Sequence, residues 1–166
     1  MRAFLAVPVP DPVRRALAAA QDEFRKTGAD IAWTAPEKMH LTLKFLGEVA
    51  DDIRLEFAPP KGAIPVEAVG LGAFGPRVVW AGVKGDVGPL AAEAERAAAA
   101  AGVARENRPW SAHLTLGRPR SPADAKRLRG ALESLKQKSF GTWTIDACHL
   151  MRSHAGAYTV VRSYEL

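Results

Sequence analysis

His40-Leu41-Thr42-Leu43 returns 73 positions later as His113-Leu114-Thr115-Leu116. In both copies apolar and polar residues alternate with period two, the pattern of a half-buried strand. Successive side chains on a strand point to opposite faces, so the leucines enter a core while histidine and threonine share the other face. The His–Thr separation is two strand rises, roughly 6.5 to 7 Å, and a phosphate group fits between an imidazole and a hydroxyl held that far apart. Two such strands laid side by side give one concave face with two histidines and two threonines.

The segments around the motifs read as a scaffold for bringing those strands together. Upstream, Phe4–Val9 is a strand closed by prolines. Asp11 offers a helix N-cap with Pro12 at the first helical position, where a missing N–H costs nothing. Val13, Leu17, Ala20 and Phe24 then form one apolar stripe, and Gly28 stops the helix. Ile31–Trp33 is a short strand, and the first motif strand runs on to about Leu46. A short helix is expected over Glu48–Phe57, ended by Pro59-Pro60. Ile64–Phe74 and Arg77–Val83 read as a hairpin around Gly75-Pro76. Pro89–Ala101 is helical by its alanine content and ends at Gly102. After the second motif, Ser121-Pro122 opens a third helix with Leu128, Leu132 and Leu135 as its stripe. Phe140–Met151 and Tyr158–Tyr164 finish the chain as strands. Strands and helices do not alternate regularly, so the fold class is α+β, with helices outside and two similar lobes meeting at a central groove. No linker divides the chain, and 1–166 is read as a single two-lobed domain.

Composition narrows the function classes. Apolar residues make up 48% of the 166 and charged residues 25%, which is globular rather than disordered. The net charge of +5 favours a polyanionic partner or substrate. With one cysteine, Cys148, an internal disulfide and a thiolate metal cluster are both excluded. The apolar start is too short and proline-broken for a signal peptide, and no run of about 18 apolar residues is present, so a cytoplasmic protein without a membrane span is expected.

The chemistry that needs two His-x-Thr pairs is acid–base catalysis at phosphorus. Imidazole titrates near neutrality, so two histidines can divide general base and general acid between them. Threonine hydroxyls can donate to the non-bridging oxygens as charge develops. No carboxylate cluster or His-x-x-x-His pair suggests a metal, and no cofactor is called for. By strict alternation Lys44 shares the face of His40 and Thr42 and adds positive field there. The same alternation points Arg118 away from His113, so it serves the site only if the strand bends or has ended.

The two motifs, the opening Arg2-Ala3-Phe4-Leu5-Ala6-Val7, Leu43-Lys44-Phe45-Leu46-Gly47-Glu48, Arg77-Val78-Val79-Trp80-Ala81-Gly82-Val83 and Arg152-Ser153 before Tyr158 together resemble the two-histidine phosphoesterases. Within that superfamily the chain is most similar to the RNA 2′,3′-cyclic phosphodiesterases, also called 2′-5′ RNA ligases. The resemblance covers essentially the whole chain. It implies a bilobal sheet with pseudo-twofold symmetry and metal-independent hydrolysis of RNA 2′,3′-cyclic phosphate ends to 2′-phosphomonoesters. It also implies His40 as proton donor, His113 as proton acceptor, Thr42 and Thr115 on the phosphate, Arg118 as a substrate-binding arginine, and reversal to form a 2′-5′ linkage. The partner would be RNA, with no obligate protein partner and a monomeric state. Two departures bear on substrate fit: Trp110-Ser111-Ala112 replaces a proline-rich approach with an extra histidine, and Asp51–Pro60 is short.

Two other readings share these features. One is a nucleotide- or RNA-binding module that holds a phosphate without turning it over, and the other is the same chemistry on small cyclic nucleotides. Phe45 reads as core. His149 and His154, without a paired threonine, read as structural or exposed. Cys148 beside His149 lacks the orienting third group a thiol nucleophile needs. Of the four tryptophans, Trp110 is the candidate for the groove.

Overall fold

The chain opens on β1 (Arg2–Pro8), in which five consecutive residues, Ala3 to Val7, are buried. A strand covered on both faces belongs inside a sheet. The structure, a computed structural model, describes residues 1–166. After β1 come α1 (Asp11–Arg25), β2 (Ile31–Trp33), β3 (His40–Glu48), β4 (Ile64–Phe74), β5 (Val78–Lys84) and α2 (Gly88–Ala100). The remainder is β6 (His113–Pro119), α3 (Pro122–Ser134), β7 (Ser139–Ile145), β8 (Ala147–His154) and β9 (Ala157–Glu165).

All strand pairs are antiparallel, in the order β7-β4-β5-β6-β3-β1-β8-β9, with β2 alongside the far end of β6. The motif strands β3 and β6 are therefore central neighbours. Three further strands extend from each, β1-β8-β9 on one side and β5-β4-β7 on the other, which gives two halves of matching pattern. This is the α+β, bilobal arrangement the sequence implied.

The helices lie on the leucine side of the motif strands. Leu41, Leu43, Leu114 and Leu116 are buried and join one core of 36 apolar residues that includes Val13, Leu17, Ala20 and Phe24 of α1. α2 packs on β3, while α3 packs on β4 and β6. At the start of α3 the Ser121 hydroxyl accepts the Asp124 N–H (3.2 Å), a side-chain cap. α1 is different: Asp11 is already helical, Pro10 holds the cap position, and no side chain caps the end. No helix is long and apolar enough to cross a membrane.

Two further expectations need correction. Glu48–Phe57 forms no helix: β3 runs through Glu48, and the chain then turns and continues extended. Leu55 and Phe57 are buried while Arg54 and Glu56 are exposed, so the burial period is two rather than 3.6. Neighbouring groups fix this path. The amino terminus of Met1 donates to the Val49 carbonyl (2.6 Å) and to Asp51 (2.9 Å), and Arg96 of α2 donates to the Glu56 carbonyl (2.8 Å). Phe140–Met151 is likewise two strands. β7 ends at Ile145 on one edge of the sheet and β8 starts at Ala147 beside β1, so the chain changes halves at Asp146.

Candidate active site

β3 and β6 touch at a single ladder position, Leu41 opposite Leu114. In an antiparallel pair the flanking residues fall opposite one another, so His40 faces Thr115 and Thr42 faces His113 across the pseudo-twofold axis. From the strand rise and spacing, the two histidine α-carbons stand on the order of 8 Å apart on the diagonal. All four side chains are half-buried, on the face opposite the leucines and helices.

Each histidine is oriented by the carbonyl two residues before it. Nδ1 of His40 lies 2.7 Å from the Lys38 oxygen, and Nδ1 of His113 lies 2.9 Å from the Ser111 oxygen. A carbonyl can only accept, so Nδ1 carries the proton in both rings and Nε2 is the nitrogen left for chemistry. Nε2 of His40 is also 2.8 Å from the Thr42 hydroxyl, which joins the two halves of that motif directly. Burial pushes the His40 pKa below the ordinary imidazole value; the Lys38 hydrogen bond opposes this and the positive charge of Arg14 on α1 adds to it.

Aromatic rings pack on both imidazoles. Phe4 stacks on His40 with centroids 4.8 Å apart, and Tyr158 meets the same ring edge-on at 5.5 Å. Phe74, from the β4–β5 hairpin, meets His113 edge-on at 5.1 Å. A cavity of about 360 Å³ opens beside His113 between Phe74, Trp80 and Lys84. Sequence reasoning placed neither Phe4 nor Phe74 on a histidine. The one available signal was position, since Phe74 directly precedes the Gly75-Pro76 turn.

Bulges decide which residues after each motif return to this face. In β3 the register steps from Ala6–Thr42 to Leu5–Lys44, so Leu43 is an extra residue and Leu43 and Lys44 are both buried. Lys44 is therefore corrected: its ammonium lies on the helix side, 2.9 Å from Glu95 of α2 and 2.9 Å from the Ala104 carbonyl. Phe45, expected in the core, takes the groove face and is 63% exposed. β6 has the same device. Its register against β5 steps from Trp80–Thr115 to Val79–Gly117, Leu116 is the extra residue, and exposed Arg118 returns to the side of His113 and Thr115.

The remaining candidates separate cleanly. Cys148 is fully buried, and burial pushes its thiol up to about 12, which removes it as a nucleophile. His149 pairs with the Ser163 hydroxyl on the next strand (2.9 Å) and His154 is exposed. Trp110 does reach the motif region, where its indole N–H donates to the Thr42 carbonyl at 3.0 Å. Trp33 instead stacks near-parallel on Phe24 in the core.

Two imidazoles with fixed tautomers, each beside a threonine of its own strand and set diagonally about a twofold, form a site of the acid–base, phosphoester-cleaving kind. The comparisons with known proteins agree. The model of the LigT-like phosphoesterases matches twice, over residues 7–80 and 81–161, and the chain belongs to that family. It is 30% identical to the RNA 2′,3′-cyclic phosphodiesterase of Aeropyrum pernix over 149 residues, covering 82% of this chain and 85% of that one. It is also 30% identical to the enzyme of the same name from Methanothermobacter thermautotrophicus, covering 92% and 90%. Among solved structures, a Thermus thermophilus protein superposes with a TM-score of 0.70 at 27% identity, covering 100% of this chain and 98% of that one. Escherichia coli LigT complexed with 3′-AMP has the same fold, with a TM-score of 0.72 at 24% identity over 99% and 97% of the two chains.

Proposed function

We propose that this chain hydrolyses RNA 2′,3′-cyclic phosphate ends to 2′-phosphomonoesters, with His40 and His113 as acid and base and the whole of 1–166 acting as one two-lobed, monomeric unit. The Leu41–Leu114 pairing carries the reading, because it makes the two His–Thr motifs neighbours on the same face of the sheet. Relatives named RNA 2′,3′-cyclic phosphodiesterase supply the substrate class.

Water enters on the His113 side and gives its proton to Nε2 of that ring as its oxygen bonds phosphorus. The P–O3′ bond breaks, and O3′ takes the proton from Nε2 of His40. The product is a 2′-phosphate with a free 3′-hydroxyl, and solvent returns the proton from His113 to His40. Burial disfavours the imidazolium of His40 in the free protein. The phosphodiester anion arriving beside it favours the imidazolium and so loads the acid when substrate binds. Thr42 and Thr115 donate to the non-bridging oxygens, and Arg118 adds positive charge from the same face. With an RNA 5′-hydroxyl in place of water, the same sequence forms a 2′-5′ linkage: the 5′-oxygen bonds phosphorus as its proton passes to His113, and the P–O3′ bond breaks with O3′ taking the proton from His40.

The test is incubation, in excess chelator, with a short RNA ending in a 2′,3′-cyclic phosphate, followed by identification of the product end. A 2′-phosphate is expected, and His40→Ala and His113→Ala should each lower the rate by roughly 10² to 10⁴ while the circular dichroism spectrum is unchanged. Full activity in either variant, or RNA that stays bound and uncleaved by the wild type, overturns the assignment.

A further inference from the structure

The net positive charge of this protein is carried by one stretch of the sequence. Between Arg118 and Lys138 there are seven lysines and arginines against two acids, Asp124 and Glu133, a surplus of five that equals the net charge of the entire chain. The other residues carry sixteen charges of each sign, 23 less 7 and 18 less 2. The basic segment begins on the groove face at Arg118, leaves the sheet at Pro119 and continues as α3.

Some of these cations are engaged. Arg120 pairs with Asp30 (3.0 Å), Lys136 with Glu133 (2.7 Å), and Arg127 donates to the Gly28 carbonyl (3.3 Å). Lys126 and Arg129 form no ion pair. One helical turn apart, both line a cavity of about 520 Å³ between α3 and the β4–β5 hairpin, whose other wall includes Ala73, Gly75 and Pro76. Glu133 also borders this space, with its carboxylate held by Lys136.

Two short routes join the cavity to the histidines. Phe74 meets His113 edge-on, and its neighbours Ala73 and Gly75 line the cavity. Along the chain, Arg118 is four residues from Pro122, which borders the cavity as well. Four residues span at most about 14 Å.

We propose that α3 is a polynucleotide-binding site: the RNA strand behind the cyclic end leaves the groove past the β4–β5 hairpin tip, and its backbone phosphates lie against Lys126 and Arg129. The proposal rests on the cyclic-phosphodiesterase reading for the position of the end alone. Phosphate contacts give affinity without sequence preference, so this surface selects long RNA over mononucleotides rather than one sequence over another.

The test compares wild type with a Lys126→Glu/Arg129→Glu double variant on two substrates, a 20-nucleotide RNA with a 2′,3′-cyclic end and a mononucleoside 2′,3′-cyclic phosphate. Both positions are exposed, so folding is checked by Tm alone. At low salt kcat/KM on the 20-mer should fall about tenfold. The slope of log(kcat/KM) against log[salt] should become shallower by about 1.4, which is 0.7 for each of two phosphates. The mononucleotide should be turned over as before. Equal loss on both substrates, or no loss on the 20-mer, overturns the site. If wild type cleaves neither substrate, the catalytic reading has failed instead, and fluorescence anisotropy of a labelled 20-mer judges the surface by itself: weaker binding by the double variant supports it, equal binding removes it.

Discussion

At the level of single residues, His40 is the side chain whose environment makes the sharpest statement. In its proposed role as acid it must be protonated when substrate arrives, and the pH profile of kcat/KM reports ionisations of the free enzyme. Burial and the Arg14 charge hold its pKa below 6.5, so the alkaline limb of that profile should lie below the ordinary histidine value. Arg14→Met removes a cation that disfavours the imidazolium, so the limb should move to higher pH. A limb that stays in place would show that His40 does not set it. Stability follows with a definite sign. The unfolded chain binds a proton at His40 more readily than the folded one, so the contribution is present above pH 6.5 and is lost as pH falls through the folded value. The same substitution should reduce that acid-side loss in urea titrations. The spacing of the motif made His40 and Thr42 legible as a pair on one face. The tautomer was not legible, because the carbonyls of Lys38 and Ser111 that fix it are backbone groups with no mark in the sequence.

At the level of elements, the bulges in β3 and β6 explain where alternation succeeds and where it fails. Up to Leu43 and Leu116 the period-two reading holds, and one extra residue then inverts the parity. That inversion takes Lys44 into the helix side, brings Phe45 out of the core and returns Arg118 to the groove face. A bulge is a mismatch in count between two strands, so one strand read alone does not show it. β6 carries a partial signal in Gly117, where a Cβ would lie 2.7 Å from the Ile31 side chain and 2.8 Å from the Trp33 ring of the adjacent β2. β3 has none. The β6 bulge is held from behind by Gln21 of α1, 1% exposed, whose amide donates to the Leu116 carbonyl (2.9 Å) and the Thr34 carbonyl (2.8 Å). Gln21→Leu keeps the volume and removes both bonds. The Leu116 carbonyl keeps the Thr34 N–H, so the loss is that of two side-chain hydrogen bonds, on the order of 1 to 3 kcal/mol together, read as a lower urea midpoint. Loss of the bulge should also lower kcat/KM, because Arg118 faces the groove through it. Gln21→Glu, similar in shape but with no amide donor, should fail in the same way. Full activity in both variants would mean that the bulge holds without this amide.

At the level of the whole molecule, the repeated motif announced two lobes but not which strands belong to each. The C-terminal β8 and β9 join the half of the first motif, and β4 and β5 join the half of the second, since pairing depends on contacts remote in sequence. The consequence is that the two halves share few direct ties across the site. β3 meets β6 at Leu41–Leu114, and Trp110, just before the second motif, crosses to the backbone of the first through its N–H to the Thr42 carbonyl. His40 and His113, the proposed acid and base, stand on opposite halves, so whatever fixes the halves also fixes the distance between the two proposed proton transfers. Displacement of about 1 Å between reacting groups can cost as much as 10²-fold in rate. Trp110→Phe keeps a large ring and removes the single N–H donor, a change worth about 1 kcal/mol in stability at most. If Trp110 sets the spacing, kcat on a mononucleoside 2′,3′-cyclic phosphate should fall about tenfold, out of proportion to that small loss of stability. A wild-type kcat with the same modest destabilisation would assign the spacing to the Leu41–Leu114 pair and the shared core beneath it, and reduce Trp110 to a surface contact.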